Sequence, residues 1–295
     1  MRKLEKLLKI NLFNWVIFII LSFIWGSSFI LMKEGMTTLS AYQVASIRIL
    51  SAGIVLLPFS IQAFKAVPAH KRWLVFLSGI LGTFFPAYLF CIAETKLDSS
   101  LAGILNALTP LFTLLIGAFF FNRQIGWRKW AGVLIGFTGL VLLILAGNKK
   151  MSFGYFGYAS FILLATLLYG INVNLVSKYL KEIGSRQIAT VAFTLLIIPS
   201  FFILWLTGFF SGTSFSRGFI YATGASMVLG IMGTAVASIL FYVLLKRAGP
   251  VFSSMVTYGI PFVALFWGVL ANEQINPVQI GCLCMILGGV YLANK

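Results

Sequence analysis

Nine stretches of this sequence contain no charged residue and are each long enough to cross about 30 Å of hydrocarbon as a helix. They are Asn14–Met32, Trp73–Ala93, Ser99–Asn122, Trp130–Asn148, Met151–Ser177, Gln187–Ser216, Gly218–Leu245, Ala248–Asn272 and Gln274–Asn294. A tenth, Leu39–Phe64, is interrupted only by Arg48. Within lipid a segment has to satisfy its own backbone hydrogen bonds, which leaves helices for runs of this length. The expected fold is an all-α membrane protein of ten transmembrane helices. Connections are short, with no room for a soluble domain. Composition agrees: 60% of residues are hydrophobic and 9% charged, where a soluble domain carries about a quarter charged.

The formal net charge of +16 would suggest nucleic acid in a polar chain. Here the basic residues sit in short loops between apolar runs, the pattern that encodes membrane orientation. With the amino terminus inside, the inner segments hold sixteen Lys and Arg and the outer ones five, and Arg48 lies within a span. Both termini are therefore expected in the cytoplasm of a cell (plasma or inner) membrane, with the lipid bilayer as solvent and no nucleic-acid partner. Residues 1–13 place Leu4, Leu7 and Leu8 at helical spacing among lysines, which predicts a short amphipathic helix on the inner surface. The first apolar run is long for a signal peptide and lacks a small-x-small site, so it is expected to stay. Cys91, Cys282 and Cys284 all fall in apolar runs. Cys282-x-Cys284 has the wrong spacing for zinc, so no metal and no cofactor are expected.

The chain repeats itself. Asn122-Arg-Gln-Ile matches Asn272-Glu-Gln-Ile, and Thr109-Pro110 matches Ile260-Pro261. Ala41-Tyr-Gln-Val-Ala matches Ser185-Arg-Gln-Ile-Ala, and Leu89-Phe90 matches Leu240-Phe241, all in one order at an offset of 144–151 residues. The repeats are 14–148 and 151–294, five helices each. Five is odd, so the second must cross in the opposite sense. The loop charges invert with it: Glu94, Lys96 and Asp98 lie on one side, their counterparts Lys246 and Arg247 on the other. Inverted repeats are the architecture of secondary transporters, whose substrate path lies at the repeat interface near the midplane.

Trp25-Gly-Ser-Ser-Phe-Ile-Leu-Met-Lys-Glu-Gly in the first span resembles the first-helix signature of EamA-type carriers of the drug/metabolite transporter superfamily. Arg48, Ser99-Ser-Leu-Ala-Gly-Ile-Leu with Thr109-Pro110, and Asn272-Glu-Gln-Ile resemble that family too. The resemblance covers essentially the whole chain as two tandem EamA domains. It implies ten helices, cytoplasmic termini and movement of small metabolites, often export of amino acids or related compounds. Where the family has Gly-Glu-Arg after the fourth span, this chain has Asn122-Arg123-Gln124; the Glu is kept only as Glu273.

Proline in a spanning helix frees a carbonyl one turn earlier, and matching breaks in two halves point to the substrate path. Pro110 and Pro261 form such a pair and Pro86 adds a third break; packing kinks are the other reading. Spans three, four, eight and nine are thus the expected cavity walls, as the resemblance also implies. Their polar and aromatic side chains, Tyr88, Asn106, Thr109, Ser238, Tyr242, Ser253, Ser254, Thr257 and Tyr258, are expected to point inward, toward substrate or a neighbouring helix. Trp25, Ser27 and Ser28 in the first span, with Tyr169, Asn172 and Asn174 in the sixth, are expected at the cavity mouth. Arg48 has two readings: a seat for an anionic group of the substrate, or a structural tie to Glu34, Glu94, Asp98 or helix-end carbonyls. The resemblance, in which this Arg accompanies many substrates, favours the tie. Glu94 is expected at the interface beside Lys96, or else to carry a proton from within the bilayer. Gly132-x-x-x-Gly136 is a small-residue packing motif, within the protomer or across a homodimer. His70 is expected solvated.

A membrane-embedded enzyme needs a nucleophile with its base, paired aspartates or clustered histidines. One loop His and no Asp in any span cannot assemble them. A channel gathers filters from several subunits, and no filter-like segment is present. A scaffold would not need inverted symmetry. Among carriers, exchangers of sugar phosphates or nucleotide sugars need paired basic residues in the path, and only Arg48 is available. The expectation is a secondary transporter of neutral or zwitterionic solutes such as amino acids, working by alternating access. An organic-anion exchanger is the alternative.

Overall fold

The computed structural model describes residues 2–121, 126–145, 153–211 and 216–294. Asn122-Arg123-Gln124, the junction of the repeats and the carboxyl-terminal Lys295 lie outside the described residues, as do the side chains of the amino-terminal segment. Among the described residues there is no strand. The helices are α1 (Arg2–Gly35), α2 (Ala41–Leu56), α3 (Ser60–Ala66), α4 (Ala69–Gly79), α5 (Phe85–Glu94), α6 (Ser99–Asn106) and α7 (Thr109–Phe121). They continue as α8 (Trp127–Leu145), α9 (Phe153–Tyr179), α10 (Ser185–Leu206), α11 (Arg217–Gly230), α12 (Ala237–Ser254), α13 (Ile260–Leu270) and α14 (Pro277–Asn294). The expected separate surface helix over residues 1–13 is not a separate element: α1 runs unbroken from Arg2 to Gly35.

Among the described residues seven helical stretches are long and apolar enough to cross a membrane: Leu12–Gly35, Ala41–Ala66, Ala69–Glu94, Ser99–Phe121, Phe156–Tyr179, Ser185–Leu206 and Arg217–Leu270. Trp130–Leu142 and Pro277–Gly289 are shorter apolar helices. The outer surface is apolar. Phe119, Phe120, Ile198, Trp205 and Val269 are all exposed, which fits a multi-pass membrane protein whose solvent is lipid.

The first helix of each repeat packs against the other repeat. α1 lies on α11, α12 and α13, whereas α9, its counterpart, lies on α4, α5 and α7. Equivalent helices also pair, α2 with α10 and α8 with α14. A Cβ built on Gly289 of α14 would come within 2.4 Å of the Gly136 nitrogen and 2.7 Å of the Gly132 carbonyl. The Gly132-x-x-x-Gly136 motif therefore packs inside the protomer, letting two backbones touch as small-residue motifs do.

Polar ties gather at two opposite ends. At one end Lys33 Nζ meets Glu273 Oε1 at 2.8 Å, and Gln43 Nε2 donates to the Thr207 carbonyl at 3.1 Å. At the other, Lys71 pairs with Glu182 and Arg247 Nε donates to Asn14 Oδ1 at 3.2 Å. Lys33, expected outside, lies at the first end, and Lys71 and Arg247, expected inside, at the second. Each end joins the two halves, so the helices between them enclose a shared interior.

Candidate functional site

Four helix breaks surround that interior. Two are π-helical segments, Ile80–Phe84 between α4 and α5 and Ile231–Val236 between α11 and α12. In the first half Pro86 follows directly and has no N–H to donate. The second half has Ala237 there, so its π segment does not depend on proline. The other two breaks precede Pro110 and Pro261: a turn at Ala107–Leu108, and a 3₁₀ segment at Met255–Tyr258. At the first of these the Thr109 hydroxyl donates to the Asn106 carbonyl at 2.8 Å, satisfying a group that the proline leaves without its usual donor. π and 3₁₀ segments inside helices frequently mark functional sites.

The breaks enclose a cavity with about 870 Å³ of empty space, counting what is open to solvent. Its lining follows the repeat. Gly82 and Thr83 face Gly233 and Thr234, and Phe90 matches Phe241, each pair 151 residues apart. Asn106 matches Thr257 and Thr109 matches Ile260 at that same offset. From the first helices, Trp25, Ser28 and Phe29 match Tyr169, Asn172 and Val173, 144 residues apart. The glycines make this possible. A Cβ on Gly82 would fall 2.2 Å from Asn172 Nδ2, and one on Gly233 2.8 Å from Ser28 Oγ. Each half's first helix thus sits against the other half's π segment. Trp25 Nε1 donates to the Gly233 carbonyl at 3.0 Å.

Of the residues expected to point inward or to stand at the mouth, Trp25, Ser28, Asn106, Thr109, Tyr169, Asn172, Ser238, Tyr242, Ser254 and Thr257 line the cavity. Tyr88 does not: its hydroxyl lies 2.8 Å from Ser46 Oγ and its ring packs on Phe84. Tyr258 is also outside the lining and half-buried in the 3₁₀ segment. The first and sixth spans, expected only at the mouth, supply much of the wall itself. Ser27 instead accepts from Trp267 Nε1 at 2.8 Å, and Asn174 donates to the Thr113 carbonyl at 2.8 Å, both as helix ties. Pro86, Pro110 and Pro261 sit just beyond the breaks and do not line the space. Gly82, Gly233, Phe29, Met32 and Val173 were not among the expected residues. Ile80-Leu-Gly-Thr and Ile231-Met-Gly-Thr, one motif at an offset of 151, would have identified the glycines.

Arg48 sits in the cavity wall and bonds across to the other half. It is 8% exposed, lines the cavity, and among the described residues has no carboxylate within salt-bridge distance. Nε donates to Thr234 Oγ1 at 2.7 Å, from the opposite half's π segment, and Nη1 approaches the Met32 sulfur at 3.8 Å. The helix is therefore not tied to Glu34, Glu94 or Asp98; the guanidinium is held by neutral groups and keeps donors for something else. The Asn106 Nδ2 likewise makes no hydrogen bond among the described residues, while its Oδ1 accepts from Thr109 at 3.2 Å. Along one wall Phe29 meets Phe90 edge-to-face and Phe90 stacks on Tyr169, with ring centroids 5.8 and 6.1 Å apart. Trp25 and Phe241 form another, 5.3 Å apart. Asn172 and Tyr242 are engaged through Ser78, whose hydroxyl lies 2.7 Å from Asn172 Oδ1 and 3.2 Å from the Tyr242 oxygen. Chemically the space offers one cation, one amide donor and apolar rings.

Glu94 is 8% exposed, one turn beyond Phe90 on α5. Glu273, after α13, bonds to Lys33 and to the start of α6. Its oxygens accept from Lys33 and from the backbone N–H groups of Ser99 and Ser100, each of the latter at 3.1 Å. This caps the first turn of α6, where a carboxylate is favoured. Partial burial opposes its ionisation, but the bonds from Lys33 and Ser100 outweigh that and hold Glu273 below the ordinary carboxylate value.

Residues 13–145 and 157–295 each match the EamA-like transporter family. The chain is 26% identical to the "uncharacterized transporter YdfC" of Bacillus subtilis (strain 168) over 268 residues, 90% of this chain and 84% of that one. It is 26% identical to the "uncharacterized inner membrane transporter YedA" of Escherichia coli (strain K12) over 283 residues, 92% and 87% of the two chains. A shorter match, 31% over 117 residues and 39% of this chain, is to 40% of an S-adenosylmethionine uptake transporter of Rickettsia prowazekii (strain Madrid E). One solved crystal structure superposes over 95% of this chain and 96% of its own with a TM-score of 0.65 at 16% identity, so the fold is shared.

Proposed function

The chain belongs to the EamA-like transporter family, and from that premise we propose that it is a secondary carrier of amino acids or related zwitterionic solutes, binding their carboxylate at Arg48. The observation that carries this reading is a guanidinium lining the shared cavity with no carboxylate within salt-bridge distance among the described residues. A buried charge of this kind costs on the order of 3 kcal/mol or more when unpaired. A substrate carboxylate would offset that cost with a charge-assisted bond. Asn106 supplies a second donor, and the Phe29, Phe90, Tyr169 and Trp25 rings suit an apolar or cationic remainder of the solute. The short match to an S-adenosylmethionine carrier agrees in kind, since that compound is itself an amino-acid derivative.

Ten crossings are the topology consistent with this role. Arg217–Leu270 is 54 residues, about 80 Å as helix and more than two bilayer cores long. It turns at Gly249, where φ is 83°. With the shorter helices of Trp130–Leu142 and Pro277–Gly289 also crossing, the two halves are inverted and both termini are cytoplasmic. Transport then proceeds by alternating access, the halves rocking about the breaks, and the family resemblance favours export. An exchanger of multiply charged anions is supported less well, because Arg48 is the one Lys or Arg that lines the cavity among the described residues.

The test is efflux of a mixed pool of amino acids and metabolites from liposomes holding the purified protein. Selective, saturable loss of zwitterionic solutes is expected. Loss confined to multiply charged anions, or no efflux from folded protein, would contradict the reading.

A further inference from the structure

Glu94 has a setting that binding alone does not explain. It is more than nine-tenths buried and Oε1 has no hydrogen-bond partner among the described residues. Oε2 has one, a long bond of 3.4 Å from the Ser99 hydroxyl. Burying an ionised carboxylate with so little compensation is expensive, whereas the neutral acid needs much less. The residue also lies on a connected path. One turn before it on α5, Phe90 lines the cavity. Beyond it, Ser99 donates its hydroxyl to Glu94 and its backbone N–H to Glu273, which holds the partly exposed Lys33. The charged and titratable groups facing Glu94 are Arg48 from α2, Lys33 from α1, Glu273 from the segment after α13, and Cys91 on its own helix.

We propose that Glu94 is the proton-carrying group of this carrier, taking up one proton together with each carboxylate-bearing solute. The proposal rests on the reading of Arg48 as the carboxylate seat. An ionised Glu94 would compete for the guanidinium and repel a second carboxylate. The protonated acid leaves Arg48 free, so proton and solute favour each other's binding, and that coupling is reciprocal. The balance is simple: an O–H bond forms on Glu94 from water at one membrane face and breaks to water at the other, with one proton crossing per solute. Solute and proton move in the same direction. An outward solute gradient carries protons out, and a more acidic outside draws solute in.

The experiment uses the full chain in liposomes, with a mixture of radiolabelled neutral L-amino acids as probe. Wild-type protein is expected to show counterflow at equal pH and, with an acidic outside, up to about tenfold accumulation per pH unit for one proton per solute. Glu94→Gln is expected to keep counterflow within about twofold of wild type, since Gln stands in for the neutral acid, while losing the response to the gradient. A Glu94→Gln protein that still accumulates solute with the gradient overturns the proposal, as does wild-type counterflow indifferent to pH. If wild type moves none of the amino acids, the carrier reading fails instead. Glu94 is then judged by infrared spectroscopy: a pH-dependent carboxylic-acid carbonyl band absent from Glu94→Gln supports it, and no such band overturns it.

Discussion

On α2, Arg48 reaches the cavity and bonds to Thr234; on α10, 144 residues later, the matching position is Ala192 and the matching threonine, Thr83, meets no charge. On α5, Glu94 ends the helix; 151 residues later the same position is Leu245. Glu273 bonds to Lys33 and to the start of α6, and its counterpart segment has Asn122-Arg123-Gln124. The backbone devices, by contrast, are duplicated: both π segments, both proline-flanked breaks, both aromatic positions at Phe90 and Phe241. The two halves share a mechanism for bending and differ in where charge is placed. In the proposed carrier the symmetric breaks would serve motion, either end of the cavity opening in turn, and charge would be needed once, to hold one carboxylate.

Removing the unmatched charge is expected to have the largest effect. Arg48→Ala should lower kcat/KM for a carboxylate-bearing solute by about tenfold to a hundredfold, from the ~1.5–3 kcal/mol of a charge-assisted bond. Arg48→Lys should recover part of this, since it keeps the charge and loses the planar fork. Breaking the symmetry of the backbone comes next. Gly82→Ala places a Cβ 2.2 Å from Asn172 Nδ2, whereas Gly233→Ala places one 2.8 Å from Ser28 Oγ. Both should destabilise, by about 1–3 kcal/mol for overpacking, with Gly82→Ala the worse in thermal unfolding. Equal or absent losses would show that the first helices do not depend on these contacts.

A smaller effect is expected at the end where Glu273 bonds to Lys33. Glu273→Gln keeps the shape and loses the ion pair, so a Met32→Cys reporter in a protein otherwise free of cysteine should be labelled about threefold to tenfold faster by an impermeant reagent. The pH dependence follows the sign of the shift. Because the folded value of Glu273 lies below the ordinary one, the tie is fully present above the ordinary carboxylate range. It is lost as pH falls through the lowered value, so labelling of the unaltered tie should accelerate only in acid. The smallest change is expected from Tyr88→Phe. It removes the bond to Ser46, worth about 1 kcal/mol of stability, and should leave KM unmoved because Tyr88 lies outside the cavity.

Much of this was legible in the residues. Uncharged runs marked the crossing segments, and the repeat located the interface between halves. Asn106, Thr109, Trp25 and Asn172 stood out because a polar or amphipathic group in an apolar run must face protein. The same logic misassigned Tyr88, whose inward direction led to a helix contact at Ser46 rather than to the cavity. It had no way to select Phe29, Met32 or Val173, since an apolar residue looks alike whether it faces lipid or solute. Arg48 and Glu94 were singled out without their surroundings, because the distance between a cation and the nearest acid is set by helix packing and not by spacing along the chain. Gly82 and Gly233 were within reach through the repeated Ile-x-Gly-Thr.

The most direct test of a single-charge cavity between matched halves is saturable amino-acid counterflow at equal pH, wild type beside Arg48→Ala, in liposomes with matched amounts of folded protein. The account predicts saturable exchange in wild type and a loss of at least about tenfold in the variant. Exchange by Arg48→Ala at the wild-type rate and half-saturation would contradict it.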